Sequence, residues 1–209
     1  MISLFLDTSS YKIIVGIYNN TNQLVLNIED NDNHLSERIM PLIDKSLKQA
    51  ELKIDDIDNI FVVNGPGSFT GIRIGVTVAK TIAWASNKKI FTISELEVLA
   101  GTTKNYKAAL IDARRGYVYA GLYDSNGNNI VEDQYIELTK FMDKIKEYKD
   151  VEFVSYDTIK VKDLKEPELN ITKIIERHLN DETLNSHSVN PNYLKLTEAE
   201  EKLNDKDNK

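Results

Sequence analysis

The sequence contains no cysteine. That excludes disulfides and thiolate zinc sites, and it fits a chain that works in a reducing compartment. It also lacks any apolar run near the ~20 residues that a membrane span requires. No signal peptide is expected, because the strand-like Ile2 to Leu6 runs straight into Asp7. Basic residues are in deficit, with 26 Lys and Arg against 33 Asp and Glu, for a formal net charge of −7. A chain that grips nucleic acid over a wide surface needs the opposite balance. Histidine is scarce too, confined to His34, His178 and His187. His34 has no second histidine within a helical turn, so the pattern of a helix-borne histidine pair on a metal is missing, and no metal site is expected. A metalloprotease reading has nothing to stand on.

What is present is organised around Asn59 to Ala85. Ile60 to Val63 is a short continuous apolar run, as in a strand buried on both faces. Gly65-Pro66-Gly67 stops it, and Ser68 or Thr70 can cap the helix that follows, expected from about Phe69 to Ala85. The turn does not fit known phosphate cradles. No Gly-Lys-Ser or Gly-Lys-Thr follows it, and Gly65, Gly67 and Gly71 miss the dinucleotide spacing.

The helix is apolar over an arc of about 200°, against somewhat over ~100° for an ordinary surface helix. One face can cover a sheet, and a second strip is left over. In that strip Gly71, Gly75, Ala79 and Ala83 recur every fourth residue, which lets a second helix approach closely. The expectation is an intersubunit interface built from Phe69, Gly71, Ile72, Gly75, Val76, Ala79 and Ala83. The alternative is a helix enclosed by its own domain. The two readings differ on Gly75→Leu, which the first expects to break association while leaving a folded monomer.

The remaining pattern is α/β. Ile2 to Leu6, Lys12 to Tyr18 and Gln23 to Glu29 read as an antiparallel meander. A helix is expected from about Ser36 to Ala50, capped by Ser36, with Ile39, Leu42, Ile43 and Leu47 on one face; Pro41 should kink it or move its start toward Ile39. Lys89 to Ile93 reads as a strand, and Ser94 to Glu97 has capping-box spacing. The order then repeats. Asp7 and Asp112, Gly16 and Gly121, and Tyr18 and Tyr123 share an offset of 105 residues. Strands at Ala108 to Asp112, Val118 to Tyr123 and Ile130 to Ile136, a helix at Thr139 to Tyr148 and a strand at Val151 to Tyr156 copy the first half. After Tyr156 no glycine turn or long apolar helix follows, so the second copy is shorter. A helix is expected from Ile171 to Leu179, a linker from Ser188 to Pro191, and a last helix around Tyr193, Leu194, Leu196 and Ala199 before a polar tail. The expected domains are 1–103, 104–187 and a returning segment 188–209.

The segment Asn64-Gly65-Pro66-Gly67-Ser68-Phe69-Thr70-Gly71-Ile72-Arg73-Ile74-Gly75 closely resembles the signature of the TsaB (YeaZ) family. Asp112-Ala113-Arg114-Arg115-Gly116 is similar to that family's second motif, and Pro191-Asn192-Tyr193-Leu194 to its C-terminal one. Gly65, Pro66, Gly67, Ser68, Thr70, Arg73, Asp112, Arg114, Arg115 and Tyr193 carry the resemblance. It implies an actin/Hsp70-like (ASKHA) fold of duplicated ribonuclease H-like units in two lobes, the second truncated. It implies a cytoplasmic, non-catalytic subunit for N6-threonylcarbamoyladenosine formation at position 37 of tRNAs reading ANN codons. The implied partners are the catalytic paralogue TsaD and the ATPase TsaE, with a homodimer when TsaD is absent and tRNA reached only through the complex. The implied contact to TsaD uses the helix after the glycine turn with the helix before it, hence Ile39, Ile43 and Leu47 as further interface residues. No cofactor is implied for this chain alone; ATP and magnesium serve the TsaD/TsaE complex.

The rival reading is an actin-like ATPase or phosphotransferase acting alone. Such enzymes use an Asp and a glycine-rich turn in each lobe to hold hydrated magnesium and phosphate. Asp7 and Asp112 are in place, but Thr8-Ser9-Ser10 and Ala113-Arg114-Arg115 put side chains where amides must come close. Asp7 reads instead as a strand-end residue bonding turn amides.

Overall fold

The computed structural model describes residues 1–31, 34–101 and 105–195. Residues such as Leu196 and Ala199, expected in a last helix, lie outside these. Among the described residues no helix is long and apolar enough to cross a membrane.

The first sheet has the order β3-β2-β1-β4-β5, with β1 Ile2–Asp7, β2 Lys12–Asn19, β3 Asn22–Asp30, β4 Asn59–Gly65 and β5 Lys89–Ser94. β1 pairs antiparallel with β2 and parallel with β4, and β4 pairs parallel with β5. Alternation splits its side chains between two cores. Leu4, Leu6, Ile60 and Val62 face helices α1 (Leu35–Gln49) and α2 (Phe69–Ala85). Phe5, Phe61 and Val63 point the other way, where α5 (Ile171–His178) supplies Ile171, Ile174 and Ile175. The unbroken apolar run of β4 is therefore needed on both faces.

The second sheet has the order β8-β7-β6-β9, with β6 Lys107–Asp112, β7 Tyr117–Tyr123, β8 Asn129–Glu137 and β9 Glu152–Val154. It repeats the first sheet strand for strand, without a counterpart of β5. A single parallel bridge from Val154 to Lys165 stands beside β9 instead. Helix α4 (Leu138–Ile145) covers one face through Phe141 and Ile145. The other face is covered by α3 (Glu95–Ala100), through Leu96, Leu99 and Ala100. The helices cross between the lobes: α3 follows the first sheet in sequence but lays Leu96, Leu99 and Ala100 on the second while its Val98 stays in the first core, and α5 follows the second sheet but packs on the first. Glu97 of α3 joins the two helices, pairing with Arg177 and with His178 Nε2 of α5. The Gly-x-Tyr repeat has the same cause in both lobes. A β-carbon at Gly16 would strike the Tyr18 ring, and one at Gly121 would meet the Tyr123 ring and Asp133.

Two expectations about helices change. Ser36 does not cap α1: the preceding residue is His34, with no side-chain cap, and the helix begins at Leu35. Pro41 sits inside the helix rather than starting it. The buried positions Leu35, Ile39, Leu42, Ile43 and Leu47 run through the proline on a single face, so the core they enter outweighs one missing backbone hydrogen bond. Helix α2 has the expected bounds, and Ser68 Oγ accepts from Gly71 N at 3.2 Å.

The second apolar strip of α2 is sheltered by its own lobe. Thr8 Oγ1 donates to the Gly71 carbonyl at 2.7 Å. A β-carbon on Gly71 would strike the Thr8 carbonyl, and one on Gly75 would strike Thr8 Oγ1. The glycines admit the β1–β2 turn. Ala79 and Ala83 are buried in the core shared with α1. Gly75→Leu is therefore expected to unfold or destabilise the isolated chain, because overpacking costs ~1–3 kcal/mol where neighbours can yield and more where they cannot. Urea titration reads this directly. Unchanged stability combined with lost association would restore the interface reading of this edge.

Candidate functional site

The three sequence motifs come together around the Gly-Pro-Gly turn. The Gly65-Pro66 peptide is cis, and Gly65 and Gly67 have φ of 124° and 151°. A β-carbon on Gly65 would strike the Asn192 carbonyl, and one on Gly67 the Ser9 carbonyl. Ser68 N donates to Ser9 O at 2.6 Å and Asn192 N to Asn64 O at 2.7 Å. The turn thus clamps the chain's own β1–β2 turn on one side and its C-terminal segment on the other. Arg73 completes the clamp. Its Nε donates to Tyr193 Oη at 2.6 Å, and its guanidinium lies 3.8 Å from the centroid of Phe69, which stacks on Tyr193 at 4.9 Å. Thr70 is exposed on the first turn of α2.

Beside the clamp a cleft of about 400 Å³ opens between the lobes. Ser9, Tyr11, Gly67, Ser68 and Glu95 line one side and Asp112, Tyr119, Tyr156 and Asp157 the other. Tyr11 and Tyr156 meet edge to face across it, 5.2 Å apart. The two repeat aspartates behave alike at their turns. Asp7 Oδ1 accepts from Ser9 N and Ser9 Oγ at 2.8 and 2.7 Å, and Asp112 Oδ1 accepts from Arg114 N at 2.9 Å. This is the strand-end role expected for Asp7.

Sequence reasoning missed Glu95. It is the first residue of α3, and the helix exchange carries it inward: it is 1% exposed. It lies beside Asp7, also 1% exposed, and among the described residues both Glu95 oxygens and Asp7 Oδ2 are buried without a hydrogen-bond donor. Two ionised carboxylates in this setting would repel with nothing to offset their desolvation. Burial, and then the Asp7 charge, push Glu95 well above the usual carboxylate range; burial also raises Asp7, against the bonds from Ser9. A proton held on Glu95 supplies the missing donor. Nothing in a capping-box pattern distinguishes such a glutamate from a solvated one.

Other expected residues sort differently. Of the interface set, Ile39, Ile43, Leu47, Gly71, Ile72, Gly75, Val76, Ala79 and Ala83 are buried within the chain, and only Phe69, at 55%, is exposed. Ile43 and Leu47 nevertheless form the floor of a groove of about 610 Å³ along α1, rimmed by Met40, Leu52, Ile54 and Ile82. Met40 is half exposed there. Of the histidines, His178 lies between Glu97 and Asp181, its Nδ1 2.6 Å from the latter, and His187 packs near Trp84. Among the described residues no cluster of three His, Cys, Asp or Glu is arranged to hold a metal.

The buried pair makes a signed prediction. Glu95 keeps its proton in the folded chain at a pH where the unfolded chain has lost it, so stability falls as pH rises above the unfolded value near 4.5. Each pH unit crossed costs up to ~1.4 kcal/mol. Glu95→Gln is expected to flatten this decline, leaving the variant more stable than the parent at pH ~8 and little changed at pH ~5. Urea midpoints across that range check it; parallel profiles for the two proteins would contradict it.

A family model described as "TsaD: tRNA N6-adenosine threonylcarbamoyltransferase" matches residues 28–202. The chain is 33% identical to the tRNA threonylcarbamoyladenosine biosynthesis protein TsaB of Bacillus subtilis over 223 aligned residues, covering 97% of each chain. It is 30% identical to the protein of the same name from Buchnera aphidicola, covering 71% of this chain and 74% of that one. Over 44% of its length it is also 31% identical to the tRNA N6-adenosine threonylcarbamoyltransferase of Persephonella marina, of which the match covers 25%. Among solved structures, YeaZ from Pseudomonas aeruginosa superposes with a TM-score of 0.75 at 22% identity, covering 92% of this chain and 100% of that one. The clamped Gly-Pro-Gly turn, the duplicated sheets and a full-length relative lead to one conclusion: the chain belongs to the TsaB (YeaZ) family of tRNA threonylcarbamoyladenosine biosynthesis proteins.

Proposed function

We propose that this chain is a non-catalytic, cytoplasmic subunit that binds a TsaD-type transferase and supports formation of N6-threonylcarbamoyladenosine at position 37 of tRNAs reading ANN codons. The observation that carries the reading is the cleft. Glu95, Asp112 and Asp157 line it, Asp7 lies next to Glu95, and among the described residues no Lys or Arg lines it. A triphosphate there would face the carboxylates of Asp112 and Asp157, each like charge costing ~4 kcal/mol at about 4 Å and an effective dielectric near 20, while Glu95 stays neutral. The glycines that could have cradled it are taken up by the Ser9 and Asn192 carbonyls. These features favour a supporting role over a solitary actin-like ATPase.

The proposed docking face is the α1–α2 side of the first lobe. Its contact residues are the groove rim of Met40, Leu52, Ile54 and Ile82, with exposed Phe69 and Trp84 farther along α2. The glycine edge is not part of it. Asp44, paired with Lys48, together with Glu51 and Lys53 forms a polar rim around an apolar floor. The same face serves a homodimer when the transferase is absent, and a TsaE-type ATPase joins the heterodimer. ATP and magnesium belong to that assembly.

The test is association with the transferase. Met40→Glu is expected to weaken it by at least about tenfold, as a charge in an apolar contact does, while the melting temperature stays within error because Met40 is half exposed. Purified chain alone is expected to turn over negligible ATP. Wild-type affinity in Met40→Glu, or ATP turnover abolished by Asp7→Ala, would contradict the proposal.

A further inference from the structure

A third concavity lies on the other lobe, away from the groove. It has a volume of about 510 Å³ and is lined by Ala113, Arg114, Arg115, Tyr117, Tyr135 and Lys195. Arg114, Arg115 and Gly116 all have positive φ, at 66°, 56° and 82°. Two adjacent arginines in the left-handed region are unusual, since only Gly, Asn and Asp visit it readily. The turn is fixed by Tyr117 N donating to Arg114 O and Ala113 N donating to Tyr117 O, both at 3.0 Å. Both arginines are exposed, and among the described residues neither guanidinium has a hydrogen-bond or ion-pair partner. Behind them Tyr117 and Tyr135 stack at 4.9 Å and 12°, and Lys195 Nζ lies 5.2 Å from the Tyr135 centroid. Three cations thus converge on two half-buried aromatic rings, in a chain of net charge −7.

We propose that this concavity is an RNA contact, in which Arg114, Arg115 and Lys195 bind backbone phosphates and the Tyr117–Tyr135 pair offers a face to an unpaired base. Arginine forks bind phosphate bidentately, and aromatic rings accept any base by stacking. The acidic remainder of the chain restricts binding to this one patch, so the contact positions RNA in an assembly rather than gripping it alone. Lys195 belongs to the same C-terminal segment that Arg73 and Gly65 clamp through Tyr193 and Asn192, so the patch is held in fixed relation to the first lobe. The identity of the RNA as a tRNA rests on the function proposed above; the chemistry of the patch does not.

The experiment titrates the full-length chain with a fluorescein-labelled, unmodified tRNA anticodon stem-loop at salt from roughly 50 to 200 mM, reading anisotropy. Arg114→Glu/Arg115→Glu is expected to weaken binding about tenfold or more and to flatten the salt dependence by ~0.7 log units per lost phosphate contact. Arg115→Gly removes one charge and relieves the backbone, so it should weaken binding without a loss of stability. Tyr117→Leu should weaken binding to RNA and not to inorganic polyphosphate. Absence of wild-type binding at the lowest salt, or identical affinity and salt slope in the double variant, would overturn the proposal. So would equal competition by polyglutamate, which would mark a docking face for an acidic protein segment, or equal competition by free ATP at matched phosphate. A parallel threonylcarbamoylation assay separates the two proposals. RNA binding that depends on the arginines in a chain that supports no modification leaves the patch and removes the function. Support of modification with arginine-independent RNA binding does the reverse.

Discussion

The constraint on which the structure depends is the absence of room for a β-carbon between the Thr8–Ser9 turn and the glycines that follow β4. Gly67, Gly71 and Gly75 each meet that turn, and Gly65 meets the C-terminal segment from the other side. Glycine is the residue that allows backbone to approach this closely. The consequences spread outward. Helix α2 is pulled against the end of β1, α1 covers its second strip, and the C-terminal segment is held where Arg73, Phe69 and Tyr193 lock together. The family motif is in this sense a packing device shared by all three parts of the chain.

The same constraint shapes the chemistry available. A strand-end Asp in each lobe, bonding the amide two residues on, survives from the duplicated architecture. The space beside Asp7 is filled by Glu95, brought in by the helix that the first lobe lends to the second. A buried pair of carboxyls must hold a proton to be tolerated. Such a site is poorly matched to polyphosphate.

Much of this was legible in sequence. The antiparallel meander of β1 to β3, the duplication and the bounds of α2 follow from alternation, turn chemistry and the offset linking Asp7 with Asp112. The Gly-x-Tyr repeat was visible, though its reason, a tyrosine ring lying over the glycine two residues before it, needed coordinates. The small residues of α2 signal close approach, and at Gly71 and Gly75 the neighbour that comes close is Thr8 of the same chain. Spacing along one helix cannot say which partner fills the gap. The exchange of α3 and α5 between lobes was also out of reach, because helical periodicity gives a buried face and not the sheet that buries it. Glu95 and the Arg114–Tyr135 patch depend on that long-range arrangement. In the linear sequence they look like an ordinary first-turn glutamate and a solvated arginine pair.

The central claim is that the chain contributes a docking face on α1 and α2 while its interlobe cleft stays closed to chemistry. Hydrogen exchange of the full-length chain, with and without a TsaD-type partner, tests it most directly. The account predicts new protection along residues 40–54 and 81–85, with the turn at 7–11 and the residues at 155–157 unchanged. Protection appearing at those cleft segments while α1 exchanges as before would contradict it.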